Sequence, residues 1–212
     1  MAREWTRRGH DVHILTGPGD RGSEYTPDLV PEAVASGATV HRAEAPGIAR
    51  PAHLLGVVDG TQRTVARPIS RLRQILGQWK GFPDMQRSWI APAASLGGTL
   101  HRKLHFDVAW STSPPESVHF VGRRLASAGL PWLADFRDQW SEYLLARWEP
   151  VSRLLVDRIT AYTLAPVAAV TANTMGVARS LGRAGGRDVV CVREASADQM
   201  LGILERVARS PA

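Results

Sequence analysis

A single cysteine, Cys191, stands among the 212 residues, so neither an intrachain disulfide nor a cysteine-rich zinc site can form. That scarcity fits a reducing compartment, and the valines around it (Val189, Val190, Val192) read as strand neighbours of an inert core thiol. No apolar run approaches the ~20 residues that span a bilayer, and the opening Met1-Ala2-Arg3-Glu4-Trp5 is charged rather than leader-like. The expected location is therefore the cytoplasm, with at most a peripheral contact at the inner face of the membrane. A Gly-x-x-x-x-Gly-Lys-Ser/Thr phosphate loop is lacking, which argues against a P-loop nucleotidase. The seven histidines show no His-Glu-x-x-His or other ligand spacing, so no bound metal and no cofactor are expected. Low-complexity linkers and internal repeats are missing as well.

What is present suits a folded domain. Hydrophobic residues make up 44% and charged residues 22%, ordinary globular values that favour a packed core over disorder. The formal charge of +6 leaves nucleic acid, an anionic membrane surface or phosphorylated substrates as partner classes. Nucleic acid ranks last and is not expected, because the arginines are spread through helical segments without a groove-reading motif or an aromatic platform.

Along the chain, Arg3 to Arg8 reads as a helix end stopped by Gly9, and Asp11 to Thr16 as a strand. Residues 20–37 are turn-rich, and Ala38 to Arg42 forms a short strand. From 64 to 105 the texture is helical: Val65, Ile69, Leu72, Ile75, Leu76 and Trp79 keep helical spacing among arginines. Then strands (107–111, 131–136, 167–171, 188–192) alternate with helices (115–128, 150–164, 175–181, 197–209). Such alternation predicts an α/β fold, a Rossmann-like parallel sheet flanked by helices, with ligands at the carboxyl ends of the strands.

Two strand ends carry polar chemistry. At Trp110-Ser111-Thr112-Ser113-Pro114-Pro115-Glu116 a strand stops and a helix begins. Ser113 and Glu116 have capping-box spacing, which is a complete structural account; the alternative is that Ser111, Ser113 and Glu116 line a ligand cleft. At Leu133-Ala134-Asp135-Phe136-Arg137-Asp138-Gln139-Trp140 an apolar strand runs into three charges and an indole. Arg137 could pair with Asp135 or Asp138 and lock the loop, or a carboxylate and guanidinium could hold a sugar hydroxyl and stabilise a leaving phosphate. Both readings stay open.

These segments, together with Arg8-Gly9-His10-Asp11-Val12-His13-Ile14-Leu15-Thr16-Gly17 and Ala169-Val170-Thr171-Ala172-Asn173-Thr174, stand in the order found in the N-terminal domain of family 4 glycosyltransferases. The chain resembles that domain over residues 1–192; residues 193–212 are expected to hold a C-terminal amphipathic helix, in which 196–212 resemble the closing helix of such enzymes, an ordinary amphipathic helix being the alternative. The resemblance implies one half of a GT-B enzyme, the acceptor-side half. Under it, Asp138 and Arg137 are the catalytic candidates that orient the acceptor, while Ser111, Ser113, Glu116, Asp135, Trp140 and Asn173 line the acceptor site. The implied reaction is retaining transfer from a nucleotide-sugar to a sugar or lipid-linked acceptor. Retaining members have no agreed protein nucleophile, so none is assigned. The family's first strand, its Asn-Gly hinge and its Glu-x7-Glu donor domain are not in these residues, so the nucleotide-sugar is expected to bind only through a further domain, and this chain alone to be inactive. A non-catalytic module binding a glycan or an anionic lipid is the alternative.

The helical region 64–105 carries a further expectation, because arginines flanking an apolar stripe with Trp79 and Trp89 suit peripheral docking on a membrane. A helix packed on the sheet with snorkelling arginines explains the same pattern, and the stripe is no longer than packing requires.

Overall fold

A computed structural model describes residues 1–17, 29–44, 82–84, 86–138, 140, 153–192 and 196–209. Its elements are α1 (Ala2–Arg7), β1 (His13–Thr16), α2 (Leu29–Ala35), β2 (Thr39–Arg42), α3 (Ile90–Leu104), β3 (Ala109–Ser113), α4 (Ser117–Ala126), β4 (Trp132–Phe136), α5 (Arg153–Leu164), β5 (Ala169–Ala172), α6 (Met175–Gly185), β6 (Val190–Cys191) and α7 (Ala197–Arg209). β1 pairs with β2, and β3-β4-β5-β6 form a second sheet in chain order. Every pairing is parallel. The molecule is thus an α/β protein of parallel sheets flanked by helices, a Rossmann-like half of the GT-B kind.

β4 sits at the centre, all five of its residues buried, as expected of a parallel strand covered on both faces. Its alternation divides the core. Trp132, Ala134 and Phe136 pack with Val156 and Leu164 of α5 and with Val177, Ala178 and Leu181 of α6. Leu133 faces the other way, toward Trp5 of α1 and Met200, Leu201, Ile203, Leu204 and Val207 of α7. Trp5 joins this layer twice over, donating from Nε1 to the Ala197 carbonyl at 3.1 Å and meeting the Trp110 ring edge-on at 5.2 Å.

Several expectations shift in detail. The turn-rich reading of 20–37 missed α2, where Pro31 occupies the first helical turn that tolerates it, and Gly37 (φ +88°) ends the element. The apolar stripe from Val65 to Trp79 lies outside the described residues, whereas Trp89, in a 3₁₀ turn leading into α3, is buried against Ile90, Ala93 and Val121. α4 starts at Ser117 rather than Pro115, and the Ser113–Glu116 capping box does not form. Glu116 is the N-cap without a side-chain cap bond, and Asp84 takes that role, accepting from the Ser117 backbone N–H at 2.6 Å and its hydroxyl at 2.5 Å. No helix of the described residues is long and apolar enough to cross a membrane.

α4 approaches β4 closely at Gly122. A Cβ there would lie 2.3 Å from Nε1 and 2.4 Å from Cε2 of the fully buried Trp132 indole. Gly122→Ala should therefore destabilise the domain by about 1–3 kcal/mol despite alanine's better helix propensity. Chemical denaturation checks this, and an unchanged or higher stability would refute the close approach.

Candidate functional site

The carboxyl ends of β3, β4 and β5 meet at one edge. Parallel register sets Thr112 opposite Asp135 and Asp135 opposite Thr171. Each of these residues lies two positions beyond an apolar one on the same face (Trp110, Leu133, Ala169), so the row continues the α7-side core into polar chemistry. Asp135 is 1% exposed and its carboxylate is fully engaged. Oδ1 accepts from Thr171 Oγ1 at 2.7 Å; Oδ2 accepts from Thr112 Oγ1 at 2.9 Å and from Arg137 Nε at 2.7 Å. Three donors, one of them cationic, are what an ionised carboxylate needs when it leaves water.

Asn173 lies just beyond β5. Its backbone N–H donates to the Phe136 carbonyl at 3.2 Å and its side-chain amide to the Arg137 carbonyl, while its Oδ1 is buried without a partner. Arg137 is thereby held by backbone and by Nε, with its side chain 23% exposed. Asp138 follows, exposed, and its carbonyl accepts from the Trp140 N–H at 2.9 Å.

On the opposite face of the sheet a second network supports the edge. Indole nitrogen can only donate, so Trp132 Nε1 gives its hydrogen to Ser111 Oγ at 2.8 Å. Ser111 Oγ also lies 2.9 Å from His119 Nδ1 of α4. His119 is completely buried, stacked on Phe136 with ring centroids 4.0 Å apart. Burial lowers its pKa to about 3, so the imidazole is neutral at physiological pH and serves as a packing and hydrogen-bonding group rather than a base.

Glu116 stands at the N-terminus of α4. It is 4% exposed, and its carboxyl is pushed above the ordinary carboxylate range, first by burial and further by Asp84 and Asp138, against the lowering effect of its own backbone N–H. Of the residues singled out in the sequence, Arg137, Asp138 and Asn173 stand together at the sheet edge, with Glu116 electrostatically coupled to Asp138. Ser113 is buried at the end of β3. Ser111, Asp135 and Trp140 are bonded inward, the last through Nε1 to Thr160 Oγ1 at 2.9 Å. Sequence reasoning passed over Thr112, Thr171, His119 and Asp84. Both threonines lay inside the quoted motifs, where only strand register could have pointed to them; nothing near Asp84 signals a cap for a helix 33 residues away. Among the described residues no group of three His, Cys, Asp or Glu side chains is placed to hold a metal ion.

The buried imidazole makes a signed prediction. A histidine whose folded pKa of about 3 lies below its ordinary value of 6.5 adds stability that is complete above pH 6.5 and drains away as pH falls toward 3. Glu116, shifted upward, acts with the opposite sign in the carboxylate range. His119→Gln should flatten the acid slope of unfolding free energy by up to about 1.4 kcal/mol per pH unit in that window. Denaturant titrations across pH 3–6.5 test it, and identical slopes in parent and variant would show that His119 is not buried neutral.

No curated protein matches the chain significantly. The family model of the glycosyl transferase 4-like domain does match, over residues 1–193. That span covers the helix-strand opening, the β3–α4 turn, the charged end of β4 and the β5–α6 turn, and the chain belongs to the glycosyl transferase 4-like family.

Proposed function

We propose that this domain is the acceptor-binding half of a retaining glycosyltransferase that moves a sugar from a nucleotide-sugar donor to a glycan or lipid-linked acceptor. In this reading Arg137 and Asp138 orient the acceptor hydroxyl, with Asn173 and Glu116 at its flanks, while Ser111, Ser113, Asp135 and Trp140 shape the cleft from behind. The observation that carries it is the guanidinium of Arg137, pinned to a buried carboxylate at the carboxyl edge of a parallel sheet beside the exposed Asp138. Ligands of open parallel sheets gather at that edge, and oriented donors there act on oxygen-bearing groups. Membership of the family supports the transfer chemistry. In this reading the nucleotide-sugar is held by a separate donor-binding domain, and the acceptor half by itself transfers no sugar.

Ligand-dependent thermal unfolding tests this. An acceptor glycan at a hundredfold excess over its Kd should stabilise the chain by about 2.7 kcal/mol, and nucleotide-sugars or nucleoside diphosphates alone should not. Asp138→Asn, at an exposed position, should remove the acceptor response while leaving the ligand-free transition in place. A shift with a nucleotide-sugar, or an Asp138→Asn chain that still responds to acceptor, would sink the assignment.

A further inference from the structure

We infer that Thr112, Asp135 and Thr171 are positioning residues that fix the direction in which Arg137 presents its guanidinium at the sheet edge. The inference rests on the acceptor-site reading above, and its test separates the two.

Asp135 is 1% exposed and both of its oxygens accept bonds inside the fold, Oδ1 from Thr171 and Oδ2 from Thr112 and Arg137, so it presents no face to a ligand. Its contribution to any bound molecule must therefore pass through Arg137. The two threonines come from the strands on either side and reach opposite oxygens, so the carboxylate cannot turn about its own axis without breaking at least one bond. Threonine is well fitted to hold it, because a branched Cβ restricts χ1 and keeps the hydroxyl where the strand places it.

A carboxylate that cannot turn fixes the Nε–H it receives. Guanidinium is planar, so holding Nε, with the Arg137 carbonyl tied by the Asn173 amide, sets the plane and heading of the two Nη groups. Those Nη groups bond no other described residue. An exposed ion pair would let a long side chain sweep through many rotamers and is worth little; this one is anchored on a carboxylate 1% exposed. The Nη edge takes oxygen acceptors, which either a sugar hydroxyl or a phosphate of the acceptor molecule supplies.

Side-chain ¹H–¹⁵N NMR of the labelled chain reads the heading directly, with Arg137→Lys identifying the Arg137 Nε–H resonance. That hydrogen should exchange with water at least about tenfold more slowly than those of exposed arginines, as expected for a hydrogen bond to a charged group. Thr171→Val, nearly isosteric, should speed its exchange about tenfold with the amide spectrum otherwise preserved, and Thr171→Ser should restore the slow rate. Thr112→Val, at a half-buried position, provides the same reading if Thr171→Val does not fold. Fast exchange in the parent, or exchange unmoved by the valine variants, overturns the inference. Titration with inorganic phosphate and, separately, with a neutral methyl hexoside completes the test. A resonance shifted by phosphate alone identifies an anionic acceptor group, and one shifted by the hexoside alone a hydroxyl. If Arg137 is locked as described yet neither probe moves it, the positioning stands and the acceptor-site reading falls.

Discussion

One buried carboxylate organises the working edge of this domain. Asp135 stands one residue from the end of a strand whose every residue is buried, and a carboxylate there is tolerable only with hydrogen-bond donors on both oxygens. Those donors come from β3, from β5 and from the residue two positions along its own chain. Meeting Asp135's demand therefore ties three strands in register at their carboxyl ends and carries Arg137 to the mouth of the sheet. The ordering extends outward as the Arg137 carbonyl holds the Asn173 side chain, and β5 runs on into the Thr174 cap of α6, which accepts from Val177 N–H at 3.2 Å.

The other face of the same strands solves a different problem with different chemistry. Trp132 fills the space under α4 so closely that only glycine fits at 122, and its fully buried indole N–H must be met from within the fold. Ser111 meets it, and His119 meets Ser111, so a polar chain runs through an otherwise apolar layer. Asp84 supplies the start of α4 from a distant part of the chain. The polar residues around the edge thus divide into those consumed by the fold and the smaller set, Arg137, Asp138, Asn173 and Glu116, that meets the acceptor in the proposed function.

Much of this could be read from the chain itself. The alternation of short apolar runs with helical periodicity pointed to a parallel α/β sheet, because a strand buried on both faces must be apolar at nearly every position and its return must pass through a helix. The burst of charge after Leu133-Ala134 located the edge, since charge directly after a buried strand has to be at its mouth or paired. The closing helix from Ala197 to Arg209 carries the same bounds in sequence and structure, its apolar spacing being that of one buried face. Proline at 31 hid α2, because a Pro-containing segment reads as a turn when its place in the first helical turn is not seen.

The class of fold, the strand whose end bears the charges and the family to which the chain belongs are all legible in the amino-acid sequence, because each depends on local pattern along one segment at a time. Tertiary structure alone decided the partners: that Thr112 and Thr171 complete Asp135, that Ser111 serves Trp132 and His119, and that Asp84 rather than Ser113 caps α4. The physical reason is that hydrogen bonds act over a few ångströms in space with no regard to separation along the chain. Parallel strands joined through helices bring together residues 23 and 36 positions apart, by a register that no short window of sequence contains.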